Sequence, residues 1–308
     1  HETLDANTTG SANTALGAYA LTANTTADNN TAVGKNALMA NTTGTANTAL
    51  GKSALPANTT ASNNTSVGYH SLLANTTGAD NTAVGMQALA ANTTASNNTA
   101  VGENAMAGNT TGTANVAFGA EALKANTTAA SNVAVGYAAL LTNTTGTFNV
   151  AVGRSALEGN TTAQENTAIG HGAMAANTTG GENVAVGYLA LDAATTADYN
   201  TAVGHNAGGA LTTGHSNTAL GNDALLVATT GTYNTIIGCL AGDAITTASD
   251  NTFVGGKAGG ANTTGTMNTF MGVGSGDAVT TSSYNVAVGG NALGAATTGD
   301  GRNVAIGQ

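Results

Sequence analysis

The side chains that most often carry chemistry are few in this chain and do not converge on a reactive group. His171 and His205 are the histidines at equivalent places in a short tandem repeat, and they lie two repeats apart. In the stacked structure argued below, that separation is about 10 Å, too far for two ligands of one metal ion. The serines have no accompanying histidine and aspartate arrangement, and Cys239 is the only cysteine. We therefore predict that the protein is not an enzyme and uses no metal or cofactor.

Composition and charge exclude further classes. The 308 residues carry six basic and sixteen acidic side chains, a net charge of -10, and charged residues make up 7% of the chain, against about 25% in an ordinary soluble domain. The basic residues are too few and too scattered to form a nucleic-acid-binding stripe. No apolar run approaches the ~20 residues of a membrane span. We expect no nucleic-acid partner and no membrane insertion of this segment. The six basic residues are Lys35, Lys52, Lys124, Arg154, Lys257 and Arg302.

A tandem repeat with a period of seventeen explains the unusual composition, which includes 43 glycines. The pentapeptide Asn-Thr/Val-Ala-Val/Leu-Gly begins at Asn13, recurs at Asn30 and then at every seventeenth residue to Asn285, and has a last copy at Asn303 after a step of eighteen. The idealised unit is N-T-A-V-G-x-x-A-L-x-A-N-T-T-G-x-x, in which we number the first Asn as position 1. We expect one uninterrupted repeat domain over residues 1–308, without end caps, as a segment of a longer fibre or a unit that stacks end to end.

The repeat predicts an all-β parallel β-solenoid, or β-roll, of about eighteen coils. Thr, Asn and Gly are poor helix formers, and the unit is too short for the helix pairs of helical arrays. Its short alternating segments end at Gly and at variable polar pairs, the pattern of strands and turns. Coils stacked in register at ~4.8 Å would give a rod of roughly 85 Å. Position 15 alternates between Gly and Ala, which indicates either a superunit of two repeats or a turn that takes two repeats.

The alternation of residue types predicts which positions of the unit face inward. We expect apolar position 4, as in Val33 and Val135, and position 2 to point inward, and we expect position 3 to point outward. Positions 6, 7 and 10 accept charged and bulky residues and should face solvent. Position 5 is Gly in every copy, which predicts positive φ or close backbone approach at a corner. The glycines chosen to represent position 5 are Gly34, Gly68, Gly136, Gly187 and Gly238.

Positions 9 and 12 should share one buried space. Position 9 is usually Leu with Asn at position 12, but where position 9 becomes Gly, position 12 becomes apolar, as in Leu211 and Ile245. Volume lost at one position is regained at the other, as close packing requires. The Asn column at position 12, represented by Asn41, Asn75 and Asn126, should form an internal ladder of amide hydrogen bonds.

The predicted direction of position 3 suggests self-association. Ala in most copies, then Ile236, Phe253 and Phe270, would form an outward apolar stripe, and such a stripe needs a cover. The simplest cover is the same stripe on identical chains around an axis. We therefore expect a homotrimer or end-to-end stacking.

The motif N-V-A-V-G-x-x-A, at residues 132–139 and 183–190, resembles the head repeats of trimeric autotransporter adhesins. Similar arrays occur in phage tail-fibre-like proteins, and the resemblance covers residues 7–307. It implies a left-handed trimeric β-roll that serves adhesion or host attachment, located outside the cell, on its surface or on a virion fibre. It implies a host-surface or matrix ligand of unknown identity.

Exposed aromatic residues are the candidate ligand contacts, and two other functions stay open. One is ice binding through the invariant Thr column at position 13; the other is a filament subunit that stacks end to end. The principal candidate contacts are Tyr69, Tyr137 and Tyr188, and the further exposed tyrosines are Tyr199, Tyr233 and Tyr284.

Overall fold

The computed structural model describes residues 2–295 and 301–308. The chain divides into two compact units, His1–Ala151 and Val152–Gln308. The described residues form eighteen short strands joined by turns and contain no helix. The fold is an all-β parallel β-solenoid, as the repeat predicts.

Each strand covers positions 2 to 4 of one coil. In the first unit the strands are β1 Thr14–Leu16, β2 Thr31–Val33, β3 Thr48–Leu50, β4 Thr65–Val67, β5 Thr82–Val84, β6 Thr99–Val101, β7 Val116–Phe118 and β8 Val133–Val135. Strand β9 is Val150–Val152. In the second unit they are β10 Thr167–Ile169, β11 Val184–Val186, β12 Thr201–Val203, β13 Thr218–Leu220, β14 Thr235–Ile237, β15 Thr252–Val254, β16 Thr269–Met271, β17 Val286–Val288 and β18 Val304–Ile306.

Successive strands pair in parallel, and their register gives the length of a turn. Thr31 is opposite Thr48 in the first unit, and Thr201 is opposite Thr218 in the second, so one repeat separates paired residues in both units. The last pair, Val286 with Val304, includes the one extra residue of the final copy. One turn of the solenoid is therefore one repeat, and the alternative of a turn that takes two repeats is wrong.

The predicted directions of the strand residues are reversed in the structure. Position 3 points into the coil: Ala32, like the other described strand-centre residues from β2 to β17, is buried. Positions 2 and 4 point outward, so Val33 and Val135 are half-exposed rather than core residues. The alternation was predicted correctly, but its phase was wrong. Position 3 is Ala because it faces a narrow interior already filled by positions 8, 9 and 12.

The interior keeps a nearly constant volume by exchange among positions 3, 9 and 12. A Cβ at Gly208 would lie 3.2 Å from Leu211 Cδ1, which confirms that positions 9 and 12 share one space. Position 3 joins the same exchange, since a Cβ at Gly259 would lie 2.7 Å from Cζ of the buried Phe253 ring. Large residues at position 3 thus occur with Gly at position 9. Ile236 with Gly242 and Ile245, and Phe270 with Gly276, follow the same rule.

The position 5 glycines turn the chain out of each strand. Gly34 has φ 134°, a conformation that L side chains rarely adopt, and a Cβ there would lie 2.6 Å from the carbonyl carbon of Gly51 in the next coil. Both predicted reasons for glycine, positive φ and close backbone approach, are present. The other four chosen glycines also have positive φ: Gly68 134°, Gly136 135°, Gly187 141° and Gly238 138°.

Three further corners of most coils place ordinary residues in the left-handed region. In the coil of β2 they are Asn36 at position 7 (φ 62°), Leu38 at position 9 (φ 49°) and Ala46 at position 17 (φ 55°). Leu38 is buried and anchored by packing, whereas Ala46 is exposed. Side chains at position 17 therefore lie at exposed corners, where Asn is among the non-glycine residues that adopt the left-handed conformation most readily.

Candidate functional site

Two buried asparagine ladders hold the coils together. At position 12, Asn41 Nδ2 donates to Asn24 Oδ1 at 3.0 Å and to the Gly44 carbonyl at 2.9 Å, which is the ladder that the sequence predicts. At position 1, the Asn47 backbone N–H donates to Asn30 Oδ1 at 2.9 Å. Sequence analysis missed this second ladder, although an Asn that begins every copy was its signal. These asparagines lie inside the coils and are not available to a ligand.

The three asparagines chosen for position 12 all belong to this ladder. Asn75 Nδ2 donates to Asn58 Oδ1 at 3.2 Å, and Asn126 Nδ2 donates to Asn109 Oδ1 at 2.7 Å. Leu211 and Ile245 occupy the same place in later coils and are fully buried. These residues have a structural role and do not contact solvent.

In strands β1–β8 and β10–β18, the side chains at positions 2 and 4 point away from the interior of the coil. We call the surface that they form the outer sheet face. Position 2 is Thr or Val and position 4 is aliphatic, Phe or Met; neither position carries a charge in any copy. Several of these residues are strongly exposed, including Leu16 (67%), Phe118 (58%) and Met271 (45%). An uncharged surface with a continuous apolar column is typical of an interaction surface.

The adjacent threonines at positions 13 and 14 differ in what their hydroxyls do. Thr42 Oγ1 at position 13 donates to the Thr59 carbonyl of the next coil at 3.0 Å, and the same bond recurs along the chain. This column is therefore half-buried and engaged in the fold, contrary to the expectation that it forms the outward Thr row. Thr43 at position 14 is the exposed neighbour.

Position 16 links successive coils in step with the alternation of Gly and Ala at position 15. In six coils with Gly at position 15, the backbone N–H at position 16 donates to a side-chain oxygen at position 16 of the following coil. Ser11 donates in this way to Asp28 Oδ1 at 2.6 Å, and Thr45 donates to Ser62 Oγ at 3.0 Å. The coils are thus paired, and the remaining pairs are Ala79 with Ser96, Gly181 with Asp198, Thr232 with Ser249 and Thr266 with Ser283.

Hydrogen bonding and charge alter the protonation of a few side chains. The backbone N–H and then the hydroxyl of Ser11 donate to Asp28 and hold the pKa of that carboxyl below its usual value of 3.8. Burial raises the pKa of Asp192. The charge of Glu182, followed by its hydrogen bond to the phenol, raises the pKa of Tyr199 above 10.0.

The candidate contact tyrosines do not form one cluster. Tyr69, Tyr137 and Tyr188 all occupy position 6, and they are exposed by 42%, 52% and 49%, as expected for that position. Tyr69 and Tyr137 are four coils apart in the first unit, and Tyr188 belongs to the second.

Each of two position 6 tyrosines instead has its own local partners. Tyr69 stacks on His70 with ring centroids 3.7 Å apart, and Lys52 Nζ lies 5.5 Å from its ring centroid. Tyr188 stacks between His171 and His205 at 5.4 and 5.2 Å.

A second aromatic group occupies position 17 in the second unit. Tyr199, Tyr233 and Tyr284 are exposed by 58%, 59% and 51%. They share one corner of the solenoid and are two and three coils apart. The sequence predicts that these tyrosines are exposed, and the structure adds that their position is a corner with positive φ.

Within residues 2–295 and 301–308, no three His, Cys, Asp or Glu side chains come close enough to hold a metal ion. Cys239 is exposed, with its Sγ 4.0 Å from Asn222 Oδ1. The same part of the chain has no helix capable of spanning a bilayer.

No protein-family model matches this chain, and no curated protein sequence is similar to it at a significant level.

Proposed function

We propose that the chain is a non-enzymatic structural and adhesive segment of an extracellular fibre, assembled as a homotrimer through its outer sheet faces. The supporting observation is that position 2 is always Thr or Val and position 4 always apolar, with no charge at either position in any coil. The predicted stripe at position 3 is buried within the coil, so it cannot be the interface. The outer sheet face takes its place as the surface that a second copy would cover.

The contrast with neighbouring positions supports burial against an apolar partner. Position 6, two residues beyond the strand, carries Lys35, Lys52, Glu103 and Arg154, so the fold tolerates charge close to the sheet. Position 4 instead keeps Leu50 at 47% exposure and Phe118 at 58%. Such side chains gain about 25 cal/mol for each Å² of apolar surface that a partner covers. A repeated uncharged column on each chain fits a symmetric interface between identical chains.

Light scattering of the full chain tests the assembly. We expect a mass of three times 29.5 kDa. Leu50→Asp with Val67→Asp places charges on the outer sheet face of two adjacent coils and should convert the trimer to monomer. The matched control, Lys52→Asp with Tyr69→Asp, alters position 6 of the same coils and should remain trimeric. A monomeric wild type would overturn the proposed assembly, and open-ended polymers would favour the end-to-end filament.

The same face supports ice binding as a second candidate. In strands β1–β6, position 2 is Thr in every coil and stands beside an aliphatic column at position 4. The two outward columns are about 7 Å apart and repeat about every 4.8 Å along the solenoid, so they form a regular two-dimensional array of hydroxyl and methyl groups. This array replaces the position 13 column as the relevant surface.

Ice binding and trimerisation would use the same surface, so the chain cannot do both at once. Measuring the mass and the thermal hysteresis together therefore distinguishes them. A monomer with thermal hysteresis that is lost on Thr65→Lys would establish ice binding. A trimer without thermal hysteresis would reject it. Thr60→Lys, at exposed position 14 of a neighbouring segment, is the control and should leave the hysteresis unchanged.

A further inference from the structure

Large aromatic residues stand on a strained, exposed corner in the second unit. Tyr199, Tyr233 and Tyr284 occupy position 17 with φ values of 59°, 56° and 62°. All three are more than half exposed, so burial in a core does not account for them. The position 17 column, as we call it, contains Glu165, Glu182, Tyr199, Ser216, Tyr233, Asp250, Met267 and Tyr284.

The first unit holds mostly small or polar residues at the same corner. There position 17 is Ala, Asn, Asp or Ser, as in Asn29, Asn63 and Asn97, in every coil except that of Phe148, which is 60% exposed. Asn adopts the left-handed region more readily than Tyr, and a bulky residue there carries a conformational cost. Tyrosine at this corner therefore lowers the stability of its coil. Its presence there indicates selection for a contact that the ring makes with another molecule.

Each of the three rings has a charged or aromatic neighbour. The charge of Glu182 raises the pKa of the Tyr199 phenol. The His215 ring meets Tyr233 edge-on, with centroids 5.2 Å apart and planes at 87°. The Arg302 guanidinium carbon lies 5.9 Å from the Tyr284 ring centroid. Restrained aromatic side chains lose less conformational entropy when a ligand binds them.

The arrangement of the column indicates an extended ligand. Tyr199 and Tyr233 are about 10 Å apart along the solenoid, and Tyr233 and Tyr284 are about 14 Å apart, from the coil spacing. Small or polar residues such as Ser216 separate the rings. Protein interfaces, by contrast, cluster their aromatic anchors in one desolvated centre.

The charge of the column excludes polyanions. Glu165, Glu182 and Asp250 lie in line with the tyrosines, and carboxylates repel the phosphates of nucleic acids and the sulfates or carboxylates of acidic glycans. Carboxylate oxygens do accept hydrogen bonds from hydroxyl groups. A neutral sugar can make both kinds of contact. Its C–H face can stack on a tyrosine ring, and its hydroxyl groups can donate hydrogen bonds to a carboxylate.

We propose that the position 17 column binds a neutral, extended β-1,4-linked polysaccharide that lies along the solenoid. Such a chain advances by close to one coil spacing per sugar, so a sugar ring can meet each tyrosine while intervening sugars meet Ser216, Asp250 or Met267. The inference rests on the proposed function, since it names a ligand class for the adhesive part. The outer sheet face is a different surface, so the oligomer measurement and the ligand measurement can fail independently.

Binding to swollen cellulose and to colloidal chitin tests the inference, with soluble starch as the α-1,4-linked comparison. The triple variant Tyr199→Asn, Tyr233→Asn, Tyr284→Asn removes the rings and places a residue that favours the left-handed region, so the fold is retained. We expect wild type to bind at least one β-1,4 polysaccharide and not starch. The variant should bind at least about tenfold more weakly, as the loss of three stacking rings predicts.

The position 6 tyrosines, which the sequence suggested as contacts, do not form a cluster and have no part in the proposed site. The matched control Tyr69→Asn, Tyr137→Asn, Tyr188→Asn removes three exposed tyrosines there and should bind like wild type. Circular dichroism and light scattering of both variants verify fold and mass. Absence of wild-type binding to both cellulose and chitin would overturn the inference. So would unchanged affinity of the position 17 variant, or an equal loss in the position 6 control.

Discussion

The exchange of volume between positions 3 and 9 can be tested by a double-mutant cycle at Phe253 and Gly259. Phe253 is fully buried, and its ring stacks on Phe270 with centroids 4.7 Å apart. A Cβ at Gly259 would lie 2.5 Å from Phe253 Cδ2 and 2.7 Å from Cζ. The ring therefore occupies the space that a position 9 Leu fills in other coils.

The two single changes should each destabilise this coil. Phe253→Ala removes a buried ring and leaves a cavity, at a cost of about 3–5 kcal/mol. Gly259→Leu forces side-chain atoms into the ring, at a cost of about 1–3 kcal/mol. The backbone is not the obstacle at this position, because Gly259 has φ 61° and Leu55 adopts φ 51° at the equivalent place.

The double variant should recover most of the loss. It recreates the core of the β3 coil, where Ala49, Leu55 and Asn58 occupy positions 3, 9 and 12 and are fully buried. The remaining cost is the lost stack on Phe270, about 1 kcal/mol. The coupling energy between the two changes should therefore be about 3 kcal/mol or more.

Native-state hydrogen exchange is the appropriate assay, because coils of a repeat protein can open locally and a single melting temperature averages over them. The Thr252 amide donates to the Asn268 carbonyl at 2.9 Å and reports on the opening of this coil. If the two single effects simply add in the double variant, the ring and position 9 do not share space, and the account of the core is wrong.

Three further predictions address other features. Ala130→Ser supplies a position 16 acceptor for the Thr113 amide, and hydrogen exchange at Thr113 should slow by an amount equivalent to about 1 kcal/mol. Asn262→Val replaces a buried amide whose Nδ2 and Oδ1 have no hydrogen-bond partner, and should stabilise its coil by about 1–2 kcal/mol in the same assay. Glu182→Gln should lower the pKa of Tyr199 toward 10.0, measured by tyrosine Cζ NMR. Since the raised pKa means stability that is present below 10.0 and lost as pH rises through the folded-state pKa, this variant should also lose less stability in alkali.

Matched controls isolate the cause in each case. Ala79→Ser places a hydroxyl in the glycine-containing coil of a pair, which is the donor side, and should not slow exchange at Ser62. Asn126→Val interrupts the continuous position 12 ladder and should destabilise, opposite to the change at Asn262. Asp277→Asn should leave the pKa of Tyr199 unchanged. The reverse result in any of these comparisons contradicts the corresponding account.

Much of the fold could be predicted because the repeat reports it directly. The period, the parallel stacking and the glycine corner follow from residues that never change, such as the position 5 glycines. The shared space of positions 9 and 12 followed from paired substitutions, as at Gly208 and Leu211.

The phase of the strand could not be read from hydropathy, because Ala at position 3 is small enough to suit either face. The decisive signal was present in a different pattern. Phe253 and Phe270 occur together with Gly259 and Gly276, and a large residue that requires a distant glycine must be inside.

The candidate surfaces were less predictable than the core. A column forms only when the fold brings equivalent residues of successive repeats onto one corner. Position 17 varies from repeat to repeat, so no recurring residue marks this column in the sequence. Tyr199 and Tyr233 were recognisable as exposed, but their relation to Glu182 depends on the coil geometry.

The pairing of coils at position 16 bears on how such a chain changes length over generations. Because six glycine-containing coils donate to the alanine-containing or serine-containing coil after them, a duplication or deletion of one such pair leaves every other pair complete. Gain or loss of a single coil leaves one coil without a partner for the position 16 hydrogen bond. Gly214 and Gly231 occupy position 15 in successive coils, the only such neighbours in the sequence up to Gly265. That place has the form of a single-coil insertion, and the two-coil rhythm resumes after it with Thr232 and Ser249.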